Sequence, residues 1–193
     1  MKPHNTNSVN CSYGPRGEGA EIAYTIVDSA RGRLLAAGTR RGICFAAMGE
    51  TDATLVSELR FDYPLASIRV FDPNRIEDKY IGDFADALAR YVSGRAEMPS
   101  PPIDIRGTAF QFAVWDQLRA IPAGKTRSYS EIARRIGRPR AIRAVGTANG
   151  ANPVAVVLPC HRVIGANGSL TGYGGGIERK RWLLNHEKTP TLF

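Results

Sequence analysis

The sequence predicts an α/β domain followed by a mainly helical domain that carries a helix-turn-helix, a class resting on three observations. Apolar spacing over residues 21–91 gives three strands, a helix, a strand and a helix. Pro99, Pro101 and Pro102 then interrupt the pattern. Beyond them, short apolar helices alternate with glycine and proline turns.

Residues 21–28 alternate, with Ile22, Tyr24 and Ile26 on one side, as a half-buried strand should. The stretches 34–37 and 43–48, joined through Gly38-Thr39-Arg40-Arg41-Gly42, continue this strand as a meander. Thr51 is placed to cap a helix carrying Leu55, Val56 and Leu59, which Pro64 ends. Residues 67–71 offer another strand. Ile76, Tyr80, Phe84, Leu88 and Tyr91 then recur at helical spacing as far as Ser93-Gly94, a stripe that reads as core. These elements place a first domain at 20–98, between a polar tail at 1–19 and a Pro-rich linker at 99–106.

The second domain, 107–193, opens with Thr108 and Gln111 in capping-box spacing, and Phe110, Val114, Trp115, Leu118 and Ile121 give the helix that follows an apolar face. Pro122-Ala123-Gly124 breaks it. A helix at 129–136, the turn Gly137-Arg138-Pro139 and a helix from about 140 to 149 read as a helix-turn-helix. Ala141, Ala144, Gly146, Thr147, Ala148 and Gly150 make the second of these helices small-sided, so its backbone can approach another surface closely. Residues 154–158 form a run of aliphatic residues that reads as a short buried strand, stopped by Pro159, with Cys160 presented at its end.

Charge separates the halves. Residues 1–100 hold 12 Lys and Arg against 13 Asp and Glu, and residues 101–193 hold 14 against 5, giving −1 and +9. Lys125, Arg127, Arg134, Arg135, Arg138, Arg140 and Arg143 are opposed within their stretch only by Glu131. Such density suggests a polyanion, most simply nucleic acid. No run of eighteen apolar residues occurs and residues 1–19 lack an apolar signal core, so a soluble, cytoplasmic protein is expected, with no membrane partner. Three widely spaced cysteines, Cys11, Cys44 and Cys160, fit free thiols in a reducing compartment. With no Cys-x-x-Cys pair and only His4, His161 and His186, neither a metal nor another cofactor is expected. Gly174-Gly175-Gly176 lacks the Lys-Ser/Thr that would make it a phosphate loop.

Cys160 beside His161 is the minimum for an activated sulfur nucleophile, because a thiol attacks well only when a base or positive charge favours its thiolate. Taken alone, the pair is better explained as a buried packing cysteine, since buried free cysteines are common. The wider pattern decides between these readings: residues 126–136, Arg143-Ala144-Val145-Gly146, Asn152-Pro153, Pro159-Cys160-His161-Arg162-Val163-Ile164, Gly172-Tyr173 and Leu183-Leu184-Asn185-His186-Glu187. In this order the chain resembles the O6-alkylguanine-DNA alkyltransferase family, closely over 107–187 and more loosely over 20–98. Within that family it is most similar to the C-terminal transferase part of bacterial Ada, without that protein's cysteine-rich metal module.

The resemblance implies a ribonuclease-H-like first domain, a winged-helix-like second domain, and direct repair of DNA. The alkyl group on O6 of guanine, or on O4 of thymine, would pass irreversibly to Cys160, once per molecule. It further implies that His161 takes the thiol proton, Glu187 orients His161, Asn152 braces the cysteine loop and Tyr129 donates to N3 of the leaving guanine. Arg143 would fill the place of a base flipped from duplex DNA, while Ala144, Gly146 and Thr147 let the helix lie in the minor groove. Arg138, Arg140 and Arg162 are expected among the DNA contacts. Val163, Tyr173 and Gly174 would border the base. A monomer, with cooperative binding on DNA, is the expected assembly. Two other readings compete, a non-catalytic sensor of alkylated bases and a helix-turn-helix transcription regulator; both predict no covalent change.

Overall fold

The computed structural model describes residues 9–12 and 17–188, with side chains from Gly17 onward; His4 and the Cys11 side chain lie outside it. The chain forms two compact units, 1–107 and 108–193.

The first unit is built on a six-stranded mixed sheet. β1 (Val9–Ser12), β2 (Glu21–Ser29), β3 (Gly32–Thr39), β4 (Gly42–Gly49), β5 (Ser67–Val70) and β6 (Ile103–Arg106) lie in the order β1-β6-β4-β3-β2-β5. The expected meander is β2-β3-β4, antiparallel throughout. Its first turn closes through Ser29, whose hydroxyl accepts from Arg31 N and donates to Gly32 O, while Gly32 takes a φ of +98° that a side chain would disfavour. Leu34 through Ala37 are all fully buried, so β3 is covered on both faces. Helix α1 (Asp52–Asp62) begins at Thr51, whose hydroxyl accepts from Thr54 N at 3.2 Å, and it packs Leu55 and Leu59 against Ile22, Leu35 and Phe45. Tyr63 follows and donates to the Cys44 carbonyl at 2.6 Å.

Helix α2 (Lys79–Val92) buries Ile81, Phe84, Ala85, Leu88, Tyr91 and Val92. Ile76, expected as the first residue of that stripe, lies before the helix and is 88% exposed. The cause is a turn at Asp72: its carboxylate accepts from Asn74 N, and Arg75 N bonds back to Asp72 O. Helix formation is thereby delayed to Asp78, whose own carboxylate is committed to Arg69 and to Asp72 N.

Two boundaries need correction. Residues 103–106, assigned to the linker, form β6, which pairs in parallel with β1 and touches β4 at Ile43. Ile103, Asp104 and Ile105 are all buried there, and the Asp104 carboxylate is held by Thr39 and Arg41. Residues 9–12, assigned to the tail, form β1. Both strands span four residues, too few to display a period.

In the second unit, α3 (Ala109–Arg119) starts from the Thr108–Gln111 capping box and buries Phe112, Val114, Trp115 and Leu118. A two-residue strand β7 (Arg127–Ser128) leads into α4 (Tyr129–Arg135), where Ser128 and Glu131 form a second capping box. Gly137, at φ +70°, turns the chain toward α5 (Ile142–Gly150). Trp115 donates from its indole to Ala148 O at 2.9 Å, which fixes the end of α5 to α3. β8 (Val163–Ile164) pairs in parallel with β7, Arg127 opposite Val163 and Ser128 opposite Ile164. The last helix is α6 (Ile177–His186). No helix among the described residues is long and apolar enough to cross a membrane.

Candidate active site

Residues 154–158 are not the expected strand. They make a buried loop in which Leu158 N bonds back to Val154 O at 3.0 Å and Val156 takes a φ of +71°, a left-handed conformation that is costly for a β-branched residue. Apolarity alone does not distinguish a buried strand from a buried loop. What holds the loop is Asn152: its Oδ1 accepts from Val154 N at 3.0 Å and its Nδ2 donates to Leu158 O at 2.7 Å, so one amide satisfies both ends. The chain then enters a single 3-10 turn, Cys160–Arg162, with Cys160 N bonded to Leu158 O at 2.7 Å.

That turn leads directly into β8, and β8 lies beside β7, which ends at Ser128, the residue before α4. The parallel pairing sends Tyr129 off the far end of β7 from the cysteine turn, and what ties the two together is Lys180, whose ammonium lies 5.9 Å from the Tyr129 ring centroid and donates to Val163 O at 2.7 Å. Tyr129 is half-buried, and its hydroxyl donates to Thr171 O at 3.2 Å. Burial pushes its phenol up, so it remains a proton donor at neutral pH.

Cys160 is 6% exposed and His161 is fully buried. Burial pushes the Cys160 thiol up, against the pull of the Asn152 amide and the Lys180 ammonium. Burial also pushes His161 down, which outweighs the neighbouring Glu187 carboxylate. The pair therefore rests as thiol and neutral imidazole. His161 Nε2 is 2.7 Å from Glu187 Oε1. Burial would raise the Glu187 carboxyl, but bonds from His161 and Arg162 dominate and hold it at about 2. An ionised carboxylate can only accept, so Nε2 carries the proton and Nδ1 carries the lone pair. His161 Nδ1 takes no hydrogen bond from the protein. The arrangement is a buried thiol, an adjacent neutral base and a carboxylate that fixes the base's tautomer.

Arg162 departs from its expected role. It is 7% exposed, and its guanidinium donates to both Glu187 oxygens, at 2.9 and 2.8 Å, and to Ile121 O at 2.5 Å. A guanidinium committed in this way is not presented to a phosphate, which corrects its place among the DNA contacts. The remaining basic residues of that set are outside: Arg138, Arg140 and Arg143 are exposed. Ala144 and Thr147 share the exposed side of α5 with Arg143, and a Cβ built on Gly146 meets nothing within 4 Å. Val145, Ala148 and Asn149 form its buried side.

Of the residues expected to border the base, Val163 is buried with its carbonyl accepting from Lys180, Tyr173 is half-buried and Gly174 is exposed. Lys180 was not anticipated. It is fully buried and its ammonium donates to Val163 O at 2.7 Å, Thr171 O at 2.8 Å and Gly172 O at 3.3 Å, tying the glycine-rich segment to β8. The run Glu178-Arg179-Lys180-Arg181 looks like a solvated face, yet Lys180 is three residues after Ile177 and three and four before Leu183 and Leu184, on the apolar side of α6. Asn149 was also missed: it is 4% exposed and donates from Nδ2 to Cys160 O at 3.4 Å. Cys44 is buried, and burial, reinforced by the Asp104 carboxylate, pushes its thiol strongly up.

Comparison with known proteins agrees with this geometry in both units. Residues 22–105 match the family described as "6-O-methylguanine DNA methyltransferase, ribonuclease-like domain" and residues 109–189 the one described as "6-O-methylguanine DNA methyltransferase, DNA binding domain". The chain is 42% identical over 171 residues to the bifunctional transcriptional activator/DNA repair enzyme Ada of Escherichia coli K12, covering 89% of this chain and 47% of that protein. It is 59% identical over 104 residues to a methylated-DNA--protein-cysteine methyltransferase of Mycobacterium bovis, covering 54% of this chain and 63% of the relative. The chain thus spans about half to under two-thirds of the length of these curated relatives. Among solved structures, that of Mycobacterium tuberculosis OGT in complex with DNA is similar with a TM-score of 0.70 and 43% identity, covering 86% of this chain and 92% of that one.

Proposed function

We propose, since this chain belongs to the 6-O-methylguanine DNA methyltransferase family, that it repairs duplex DNA by moving the alkyl group from O6 of guanine onto Cys160. The observation that carries the reading is the buried Cys160 next to a neutral His161 whose tautomer Glu187 fixes across 2.7 Å. An O6-alkyl carbon is unstrained and unactivated, so it yields only to a soft thiolate with a stabilised leaving group. His161 Nδ1 accepts the thiol proton, and the Glu187 carboxylate stabilises the imidazolium that results. The sulfur then forms a bond to the alkyl carbon, the C–O6 bond breaks, and its electron pair stays on the base. Tyr129, kept protonated by burial, turns from Thr171 O to the guanine and offsets that charge.

The flat, small-residue side of α5 supports a minor-groove approach, and Arg143 on that side is placed to enter the stack where the base leaves it. Asn152 braces the loop that delivers Cys160, and Val163, Tyr173 and Gly174 border the flipped base. The thioether product offers no leaving group to water, so each molecule reacts once. Action as a cytoplasmic monomer on DNA, and reaction with O4-alkylthymine as a weaker substrate, belong to the same reading.

The test is intact-mass measurement after incubation with duplex DNA carrying O6-methylguanine. The wild-type chain gains the mass of one methyl replacing hydrogen, mapped to the Cys160 peptide, and Cys160→Ala gains nothing. No gain in the wild type, or an equal gain in Cys160→Ala, refutes it. A sensor of alkylated bases would bind the same duplex without the mass change.

A further inference from the structure

Among the described residues, two buried side-chain polar atoms take no hydrogen bond from the protein: His161 Nδ1 and Asn149 Oδ1. Both adjoin the same peptide. Asn149, on the buried side of α5, donates from Nδ2 to the Cys160 carbonyl, the peptide that joins Cys160 to His161. That carbonyl also accepts from Val163 N, and a flipped amide would set Asn149 Oδ1 against the carbonyl oxygen, so Nδ2 faces the peptide and Oδ1 is left as the acceptor. His161 Nδ1 is an acceptor too, since Nε2 holds the ring proton toward Glu187. A buried acceptor without a donor bears the full cost of its lost hydration. Two acceptors beside one weak S–H donor are satisfied together by a molecule with two hydrogens and a lone pair, and a water making three bonds is the common buried case.

We propose that Asn149 is a positioning residue of the alkyl-transfer site: Asn149 Oδ1 and His161 Nδ1 hold between them the water that relays the Cys160 proton. This rests on the alkyltransferase reading. The water accepts the proton from sulfur and gives one of its own to His161 Nδ1, leaving a thiolate, an imidazolium and a water. The thiolate takes the alkyl carbon, the C–O6 electron pair remains on guanine, and the proton held by His161 is released through water to a guanine ring nitrogen, which returns His161 to its neutral form. The net change is an S–H and a C–O bond broken, an S–C and an N–H bond formed. Without Asn149 Oδ1 the water loses one of its two acceptors and its orientation. The same residue ties α5 to the nucleophile, so the helix that meets DNA also sets the relay.

The charged and titratable groups around this relay are Glu187, Arg162 and Lys180 facing His161, and Lys180, Tyr129 and Tyr173 facing Cys160. None is altered by substitution at Asn149. The test is the single-turnover rate of alkyl transfer from O6-methylguanine duplex DNA at saturation, across pH, for wild type, Asn149→Met and Asn149→Ala. At pH 7 both variants should be slower by roughly tenfold, a part of the ~10²–10⁴ that proton-transfer catalysis contributes. The deficit should close as pH rises and Cys160 ionises without the relay, while duplex affinity, measured with Cys160→Ser in each background, stays unchanged. Rates equal to wild type at pH 7, or a deficit that is the same at every pH, overturn the inference. If Asn149→Met fails to fold, Asn149→Ala, which cannot overpack the site, carries the same pH comparison. A wild type that gains no alkyl group sinks the alkyltransferase reading itself; a reactive wild type matched by its Asn149 variants sinks only the relay.

Discussion

Replacing Arg162 with Met separates a positioning role from a DNA contact. In the folded protein Glu187 has a side chain 1% exposed and a carboxyl held at about 2, against 4.5 for an ordinary glutamate. The depressed value is a stabilising contribution that is fully present above pH 4.5 and lost as pH falls toward 2. A difference of about 2.5 pKa units corresponds to on the order of 3 kcal/mol, which His161 and Arg162 share. Arg162→Met removes the two guanidinium bonds and leaves the carboxylate buried with His161 alone, a change that usually costs ~3–5 kcal/mol. For a chain of this size each kcal/mol moves the melting temperature by roughly 2–4 °C, so a drop of about 6–20 °C is expected at pH 7. The deficit should shrink when both proteins are melted near pH 3, where the unfolded carboxyl is already protonated. In a Cys160→Ser background at low temperature, duplex affinity and its salt dependence should be unchanged. If instead the melting temperature holds within about 2 °C while the salt slope falls by ~0.9, Arg162 is a phosphate contact and the argument from its burial is wrong.

Arg143→Ala should lower alkyl transfer from duplex DNA yet leave transfer from free O6-benzylguanine intact, since the Arg143 side chain is exposed on α5; equal loss in both assays would count against its role in flipping. Tyr129→Phe should slow transfer by about 10²-fold, the usual effect of losing one donor to a developing negative charge, at a stability cost of ~1 kcal/mol read by denaturant titration. Transfer by the wild type should persist below pH 6.5 and decline only as pH falls through the depressed value of His161, because the protonated ring has no lone pair for the relay; a decline centred at or above 6.5 would show that burial does not govern this group.

Much of the second unit was legible because its signals are local. Thr108 with Gln111 marks a helix start through two bonds that span three residues, and Gly137 marks the turn between α4 and α5 through a φ that few other residues adopt. The short strands were not legible, since β1 forms by pairing with β6 across more than ninety residues and β6 by lying between β1 and β4. The loop before Cys160 was misread for a related reason. Five aliphatic residues fit a strand, and only the Asn152 side chain, bonded at both ends of the run, makes a loop the lower-energy choice. Burial of charge was the hardest to foresee. Arg162 and Lys180 sit in basic surroundings in the sequence, and what removes them from solvent is the carboxylate of Glu187 in one case and three carbonyls in the other.

On the proposed alkyl-transfer reading, those two cations explain how the nucleophile is kept unspent. At rest the Cys160–His161 pair carries no charge, while the Glu187 carboxylate is balanced by the Arg162 guanidinium. Separating a thiolate from an imidazolium in this buried site is unfavourable until something offsets it. Lys180 lies close enough to Cys160 to favour the thiolate, but burial lowers its own affinity for a proton and its three N–H groups are committed to Val163, Thr171 and Gly172. The offset therefore comes from the reaction itself: as sulfur bonds to the alkyl carbon its charge passes to the base, where the Tyr129 proton is available. A permanently ionised cysteine would react with any passing electrophile and exhaust the protein. A thiol that ionises only against a flipped, alkylated base is spent on that base, which is the outcome the depressed His161 and elevated Cys160 values both favour.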